Sequence, residues 1–208
     1  MDTPVTRRRE NTRARLLDAA AQLFAEVGID GSSVEAICER AGFTRGAFYS
    51  NFETKDELFL ALVDVFAGAR LEAAQARVDA LVASGVFQGD CDIVPLVEQV
   101  MLDTEKDRFT VLLMSEIRLH ALRDPAFAAA YVEQEKVFLA SVEAIVEAIL
   151  DAGAIALRVD APTAAHMLIT VWEGAMTTAA LEGRSDAEIS RAASAALGTL
   201  VTLLMAEA

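Results

Sequence analysis

Histidine and cysteine are scarce, with two of each in 208 residues. Scarcity of both excludes most metal-ligand and nucleophile constellations at the outset. Cys38 and Cys91 stand far apart in sequence, so neither a disulfide framework nor a thiolate metal site is expected, and a reduced, cytoplasmic setting fits. Cys38 is most simply a small core residue. Four prolines and eleven glycines are too few for a turn-rich β protein and favour helices. No run of about 18 apolar residues is free of charge, which excludes a membrane span. The stretch MDTPVTRRRENTRAR is basic, but an amphipathic pattern with Asp18, Gln22 and Glu26 follows it rather than a signal-peptide core. There is no phosphate-cradling glycine loop and no G-x-S-x-G elbow. Base is also in deficit: 18 Lys+Arg face 32 Asp+Glu, a net charge of −14, which argues against indiscriminate contact with nucleic acid.

What is present is apolar and helical. Hydrophobic residues make up 54 %, enough for a real core in one large or two small domains. The most informative stretch is Ser33 to Phe52. Val34, Ile37, Cys38 and Ala41 recur as one buried helical face. Gly42 stands where that helix ends in a left-handed residue, and Thr44 is a good N-cap for the next helix. At 100° per residue that second short helix splits in two. Ala47, Phe48, Asn51 and Phe52 form one side; Arg45, Gly46, Tyr49 and Ser50 form the other. Arginine pairs with guanine edges or phosphate, tyrosine and serine reach phosphate oxygens, and glycine lets the backbone come close. The pattern is a helix-turn-helix whose outer face suits DNA; an ordinary αα-hairpin is the plainer alternative.

The flanking residues favour the first reading. Ala19, Ala20, Leu23, Phe24, Gly28, Val34, Ile37, Ala41, Gly42, Gly46, Tyr49, Phe52, Lys55, Leu58 and Leu62 keep a fixed order between Thr12 and Leu62. This run closely resembles the N-terminal domain of TetR-family (tetracycline-repressor-like) transcriptional regulators. The resemblance covers the first quarter to third of the chain; the rest fits in length and helical texture. It implies an all-α protein of about nine helices. Residues 1–54 would form an arm and helix-turn-helix DNA-binding domain, and 55–208 a ligand-binding and dimerisation domain with helix 4 as the link. It implies DNA contacts from Ser33, Thr44, Arg45, Gly46, Tyr49, Ser50, Asn51 and Lys55. It also implies transmission of ligand binding to the DNA heads through helix 4.

Charge is unevenly spread. Residues 1–60 hold 8 basic and 10 acidic side chains, residues 61–208 hold 10 and 22. Arg7, Arg8, Arg9, Arg13 and Arg15 cluster with only Glu10 against them, so residues 1–11 read as a mobile, DNA-contacting arm ahead of a first helix over Thr12 to Val27. Leu17, Ala20, Phe24 and Val27 form that helix's inner face. Ser32-x-x-Glu35 has capping-box spacing for helix 2, with Ser33 as the alternative cap; Thr54-x-x-Glu57 repeats it for helix 4. Lys55 lies in that helix's first turn, unfavourably to the dipole, as expected if it meets a phosphate.

Helix 4 carries Leu58, Leu62, Val65 and Phe66 and runs on toward Leu81. Residues 83–92 read as a loop, and Pro95 opens a helix to about Thr104. The next runs from Phe109 to Leu122, where Glu116 and His120 are spaced to pair. Asp124-Pro125 caps a long helix with Phe127, Tyr131, Phe138, Val142, Ile145 and Ile149 on one stripe. Pro162 opens helix 8, which runs to Gly183 with a polar stripe of His166, Thr170, Glu173 and Thr177. Ser185-x-x-Glu188 caps helix 9. Helices 8 and 9 carry more apolar surface than a monomer needs, so a homodimer through them is expected.

The expected effector is a largely apolar small molecule. Candidate contacts are Met101, Phe109, Leu113, Glu116, His120, Phe127, Tyr131, Phe138, Thr170, Trp172, Glu173 and Met176. With acidic residues among them, the site would favour a cationic or hydroxylated ligand. The chain thus reads as a ligand-responsive DNA-binding regulator, a repressor released from a palindromic operator. The alternatives are a helical small-molecule binder without DNA binding and, least favoured, an enzyme using Glu116 and His120. No cofactor, metal or membrane partner is expected.

Overall fold

The structure is a computed structural model that describes residues 4–86, 93–101, 107–153 and 155–206, excepting the side chains of 4–8, 93–94 and 101. Nine helices form among the described residues: α1 (Pro4–Val27), α2 (Val34–Ala41), α3 (Arg45–Tyr49), α4 (Lys55–Ser84), α5 (Ile93–Met101), α6 (Asp107–Arg123), α7 (Pro125–Asp151), α8 (Ala161–Leu181) and α9 (Asp186–Leu204). The only β pairing described is one isolated bridge, Leu157 to Met205. Cys91, residues 87–92 of the expected loop, the Thr104 helix end and the side chains of Arg7, Arg8 and Met101 lie outside the described residues.

The chain divides into two compact units, 1–66 with 112–134 and 67–111 with 135–208. The first unit is built on α1 to α3. Leu16, Ala20, Phe24, Ile37, Phe48, Phe52, Leu58, Phe59 and Leu62 are all essentially buried in it. Phe24 and Phe59 meet edge to face, with centroids 4.6 Å apart, a geometry aromatic quadrupoles favour. Gly42 ends α2 at φ 71°. The turn lets the N–H groups of Gly42 and Phe43 reach the carbonyls of Glu39 and Cys38, as a helix end requires.

Four local expectations are corrected. First, α1 begins at Pro4 and not at Thr12. Proline suits a first helical position, and no helix breaker lies between it and Val27. Residues 4–11 of the expected arm therefore continue the helix. Second, Val27 is exposed while Leu16 is fully buried, because the helix end turns Val27 outward. Val65 is likewise exposed on α4. Third, Ser33 and not Ser32 caps α2: its Oγ accepts from the Ala36 N–H, while buried Ser32 donates to the Gly28 carbonyl. Fourth, Glu116 and His120 do not pair. Glu116 accepts from the Ile29 N–H at 3.1 Å, and His120 Nε2 lies 3.1 Å from Asp56. Each is drawn to a group from a distant stretch of chain that the i,i+4 spacing does not reveal.

In the second unit α8 packs on α9 around Met176, Ala179, Ala180, Ile189 and Ala193. Asp160 caps α8 through the Thr163 N–H, with proline in the first turn, and Ser185 and Glu188 form the reciprocal box expected at α9. Small residues at this seam bring the helix axes close. A second cluster joins Val146 of α7 to Ala161, Ala164 and Ala165.

Candidate nucleic-acid interface and ligand cavity

The outer face of α3 is held in position from beneath. Phe48 is fully buried and Phe52 nearly so, and their burial fixes the helix rotation. That rotation leaves Thr44, Arg45, Gly46, Tyr49 and Ser50 exposed together. Thr44 caps the helix through the Ala47 N–H, and Ser50 Oγ donates to the Ala47 carbonyl. Ser33 is exposed at the α2 cap.

Arg45 is not idle on this face. Its guanidinium meets Glu35 at 2.7 Å and lies 5.8 Å from the Tyr49 ring. A hydrogen bond with Tyr49, reinforced by the Glu35 charge, pushes its pKa above the usual arginine value. Both side chains of the ion pair are more than half exposed, so the arginine is restrained and remains accessible. Burial, with Glu35 nearby, pushes the Cys38 thiol pKa up, in keeping with a core residue.

Two members of the expected contact set are turned elsewhere. Asn51 is buried; its amide nitrogen donates to the Ala47 carbonyl at 2.8 Å, because it lies on the inner side with Phe48. Lys55 Nζ donates to the carbonyls of Ile29 and Ser32 at 3.1 and 3.3 Å and lies over the Phe59 ring. The loop between α1 and α2 has carbonyls without helical partners, and the lysine closes them. The unfavourable placement at the α4 N-terminus thus has an internal cause.

The structure adds two arginines at the other end of α3. Arg9 donates to the Ser50 carbonyl at 3.1 Å, and Arg13 to the Asn51 carbonyl at 2.9 Å while lying over the Phe52 ring. Cations at a helix C-terminus meet its negative dipole end. The arginine cluster was legible in the sequence; its docking on α3 was not. Nearby, Asp56, His120 and Asp124 bring ligand-type atoms within 4.8 Å of one another. Asp124 caps α7 through the N–H groups of Ala126 and Phe127; these bonds, with a smaller contribution from His120, hold its carboxyl below the usual range.

The second unit contains a cavity of about 220 Å³. Its walls are Leu71, Ala74 and Val78 of α4, Val97 of α5, Phe138, Val142 and Ile145 of α7, Leu168 and Trp172 of α8, and Leu197 and Val201 of α9. Of the twelve expected ligand contacts, Phe138 and Trp172 line it. Leu113, Glu116, His120, Phe127 and Tyr131 belong to the first unit, where Leu113, Phe127 and Tyr131 are core. Met176 is packed in the α8–α9 cluster. Phe109, Thr170 and Glu173 are not among the lining residues, and Thr170 is exposed with His166. The polar stripe of α8 is therefore not part of the cavity. No helix among the described residues is long and apolar enough to cross a membrane.

Among the described residues the charged side chains lining the cavity are Arg70 and Arg77 of α4. Arg70 meets Asp107 at 2.6 Å and lies 5.0 Å from the Trp172 ring; Asp107 is only 3 % exposed. Arg77 donates to the Val100 carbonyl at 2.9 Å. Sequence reasoning missed both. The available signal was their spacing: seven residues apart, on the α4 face that also carries Ala74 and Val78.

Residues 16–62 match the family model described as bacterial regulatory proteins, tetR family. The chain is 30 % identical over 183 residues to the HTH-type transcriptional repressor AcnR of Corynebacterium efficiens, covering 85 % of this chain and 88 % of that protein. Among solved structures, a TetR transcription regulator from Haloarcula marismortui superposes with a TM-score of 0.69 at 15 % identity, over 95 % of this chain and all of that one. SmeT, the repressor of the Stenotrophomonas maltophilia multidrug efflux pump SmeDEF, gives 0.63 at 23 % identity, over 94 % and 91 % of the two chains. At these identities the structural likenesses speak for the fold alone.

Proposed function

The chain belongs to the TetR family of bacterial regulatory proteins, and from that premise we propose that it is a dimeric repressor released from a two-fold operator by a small molecule. Family membership supports a regulatory rather than an enzymatic role. Residues 1–54 would read DNA, and 55–208 would bind ligand and dimerise. The observation that carries the reading is the opposition on α3: Phe48 buried beneath, Arg45, Tyr49 and Ser50 exposed above. A short helix held so rigidly presents those side chains in one register, as entry into a major groove requires. Thr44, Gly46 and Ser33 complete the contact surface, with Arg9 and Arg13 beside it.

A two-fold dimer would double this surface and call for a palindromic site. Leu181 of α8 and Leu203 of α9 are 84 % and 69 % exposed, and apolar surface of this kind supports pairing through those helices. Phe138 and Trp172, which line the cavity, would be ligand contacts. Ligand need only favour the conformation with misplaced heads, and a coupling of about 1–3 kcal/mol suffices.

Selection of bound sequences from random DNA tests the reading. The wild type should enrich a motif with two-fold symmetry. Arg45→Ala and Tyr49→Ala should enrich none at matched concentration while keeping wild-type circular dichroism. Recovery of the same motif by both variants would refute the recognition-helix assignment.

A further inference from the structure

We propose that the cavity of the second unit takes an amphipathic anion, with an anionic headgroup at Arg77 and an apolar body along Phe138, Val142, Leu168 and Trp172. This rests on the ligand-responsive reading above and reverses the expectation of a cationic effector. The chain as a whole carries −14, yet the charged side chains described in the cavity wall are both arginines, and every other described lining residue is apolar. Acid is abundant in the chain, and none lines this wall among the described residues.

The two arginines are not equivalent. Arg70 has a buried carboxylate partner in Asp107 at 2.6 Å, so its charge is compensated within the fold. Arg77 is half-buried and its described bond is to a neutral carbonyl, that of Val100. A guanidinium has five N–H donors, and one carbonyl leaves most of them open. A partly buried cation with no carboxylate partner among the described residues, set beside an apolar wall, carries a desolvation cost. A carboxylate, sulfonate or phosphate monoester arriving in the cavity removes that cost. Arg70 and Arg77 are about 10 Å apart along the helix axis, too far for one small headgroup to bridge. The anion therefore belongs at Arg77, and its tail runs toward Trp172. A cationic ligand would meet no acidic side chain among the described lining residues.

Trp172 is the one tryptophan of the chain and lines the cavity, so its fluorescence reports entry directly. Full-length protein is titrated with octanoate, 1-octanol and octyltrimethylammonium, three probes with one tail and different heads. Thermal midpoints are followed in parallel, because a ligand of the folded state raises them. Octanoate should bind tighter than octanol by about tenfold or more, the size of one charge-assisted hydrogen bond, and the cation should bind weakest. Arg77→Met should lose that advantage, bringing octanoate and octanol to similar affinity. Arg77→Glu should turn the preference toward octyltrimethylammonium. Octanol or the cation matching octanoate in the wild type would overturn the proposal, as would octanoate binding unchanged in a folded Arg77→Met. The wild-type comparison decides even if neither variant folds. Operator affinity is measured separately by fluorescence polarisation. Tight octanoate binding that leaves operator affinity unchanged supports the cavity assignment and counts against ligand release alone.

Discussion

Replacing Glu35 by Gln should tighten operator binding even though it removes an ion pair. Glu35 holds Arg45 at 2.7 Å, with side chains 58 % and 61 % exposed. DNA must take the arginine from this partner. An ion pair so exposed contributes about 0.2–1 kcal/mol, so freeing Arg45 should lower Kd about 1.5- to 5-fold. The log–log salt dependence should steepen by up to about 0.9, because a cation no longer neutralised internally releases one more counterion. The same carboxylate stands in the first turn of α2, where it favours the helix dipole by about 0.3–1 kcal/mol. Glu35→Gln should therefore lower the urea midpoint slightly while raising affinity, opposite signs that no general effect on folding produces. Fluorescence polarisation at several salt concentrations, in wild-type and Arg45→Ala backgrounds, completes a double-mutant cycle. The gain must vanish without Arg45. An unchanged or weaker Kd for Glu35→Gln, or a gain that persists in Arg45→Ala, refutes the restraint.

Other perturbations separate stability from DNA contact. Lys55→Met removes a cation from two loop carbonyls. It should cost about 1–3 kcal/mol in denaturant unfolding and leave the salt slope of DNA binding unaltered; a shallower slope would restore a phosphate contact. Gly42→Ala places a side chain at φ 71°, where an L-residue costs about 1–2 kcal/mol; Arg15 Nη2, 3.3 Å from the added Cβ, is a flexible end and adds little. Calorimetry showing no loss would remove the left-handed cap from the account. The Thr163 hydrogen bonds lower the Asp160 pKa, and those of Ser185 lower that of Glu188. A depressed carboxylate contributes stability above its unfolded pKa and loses it as pH falls through the folded value. Thermal midpoints should thus drop as pH falls below about 4. Asp160→Asn still caps but does not titrate, so its melting curve should converge on the wild type in acid.

How much of this was legible in the sequence depended on how far each residue's partner lay along the chain. Thr44, Gly42 and the Ser185–Glu188 box act within a turn of themselves, and each stands where its spacing placed it. The rotation of α3 was also readable, because two phenylalanines at i and i+4 define an inner side. Polar side chains with distant partners were not readable. Glu116, His120 and Lys55 reach groups from 23 to 87 residues away, and their chemistry suits several partners equally. The apolar stripe of α7 shows the same limit. Its periodicity was right, yet Phe127 and Tyr131 fill the core of one unit while Phe138 and Val142 face the cavity of the other. Periodicity names a buried face and does not say which compartment it closes.

Charge gives the firmer guide to where ligand chemistry lies. In a chain where acid outnumbers base, an exposed arginine readily acquires a carboxylate. Arg40 has Glu26, Arg45 has Glu35, Arg123 has Asp30 and Arg184 has Glu182. Even Arg70, inside the cavity wall, has Asp107. Such pairs are common in this composition and carry little information. Arginines held by carbonyls also occur, as at Arg9 and Arg108; Arg77 differs from them in lining a cavity whose other described residues, Arg70 apart, are apolar. Its charge would gain a partner when something negative enters from outside. Arg45 reaches the same condition by a different route: its internal carboxylate is exposed and weakly bound, so a phosphate or a guanine can displace it. One chain thus holds two cations ready for external anions, one by withholding a partner and one by supplying a replaceable one.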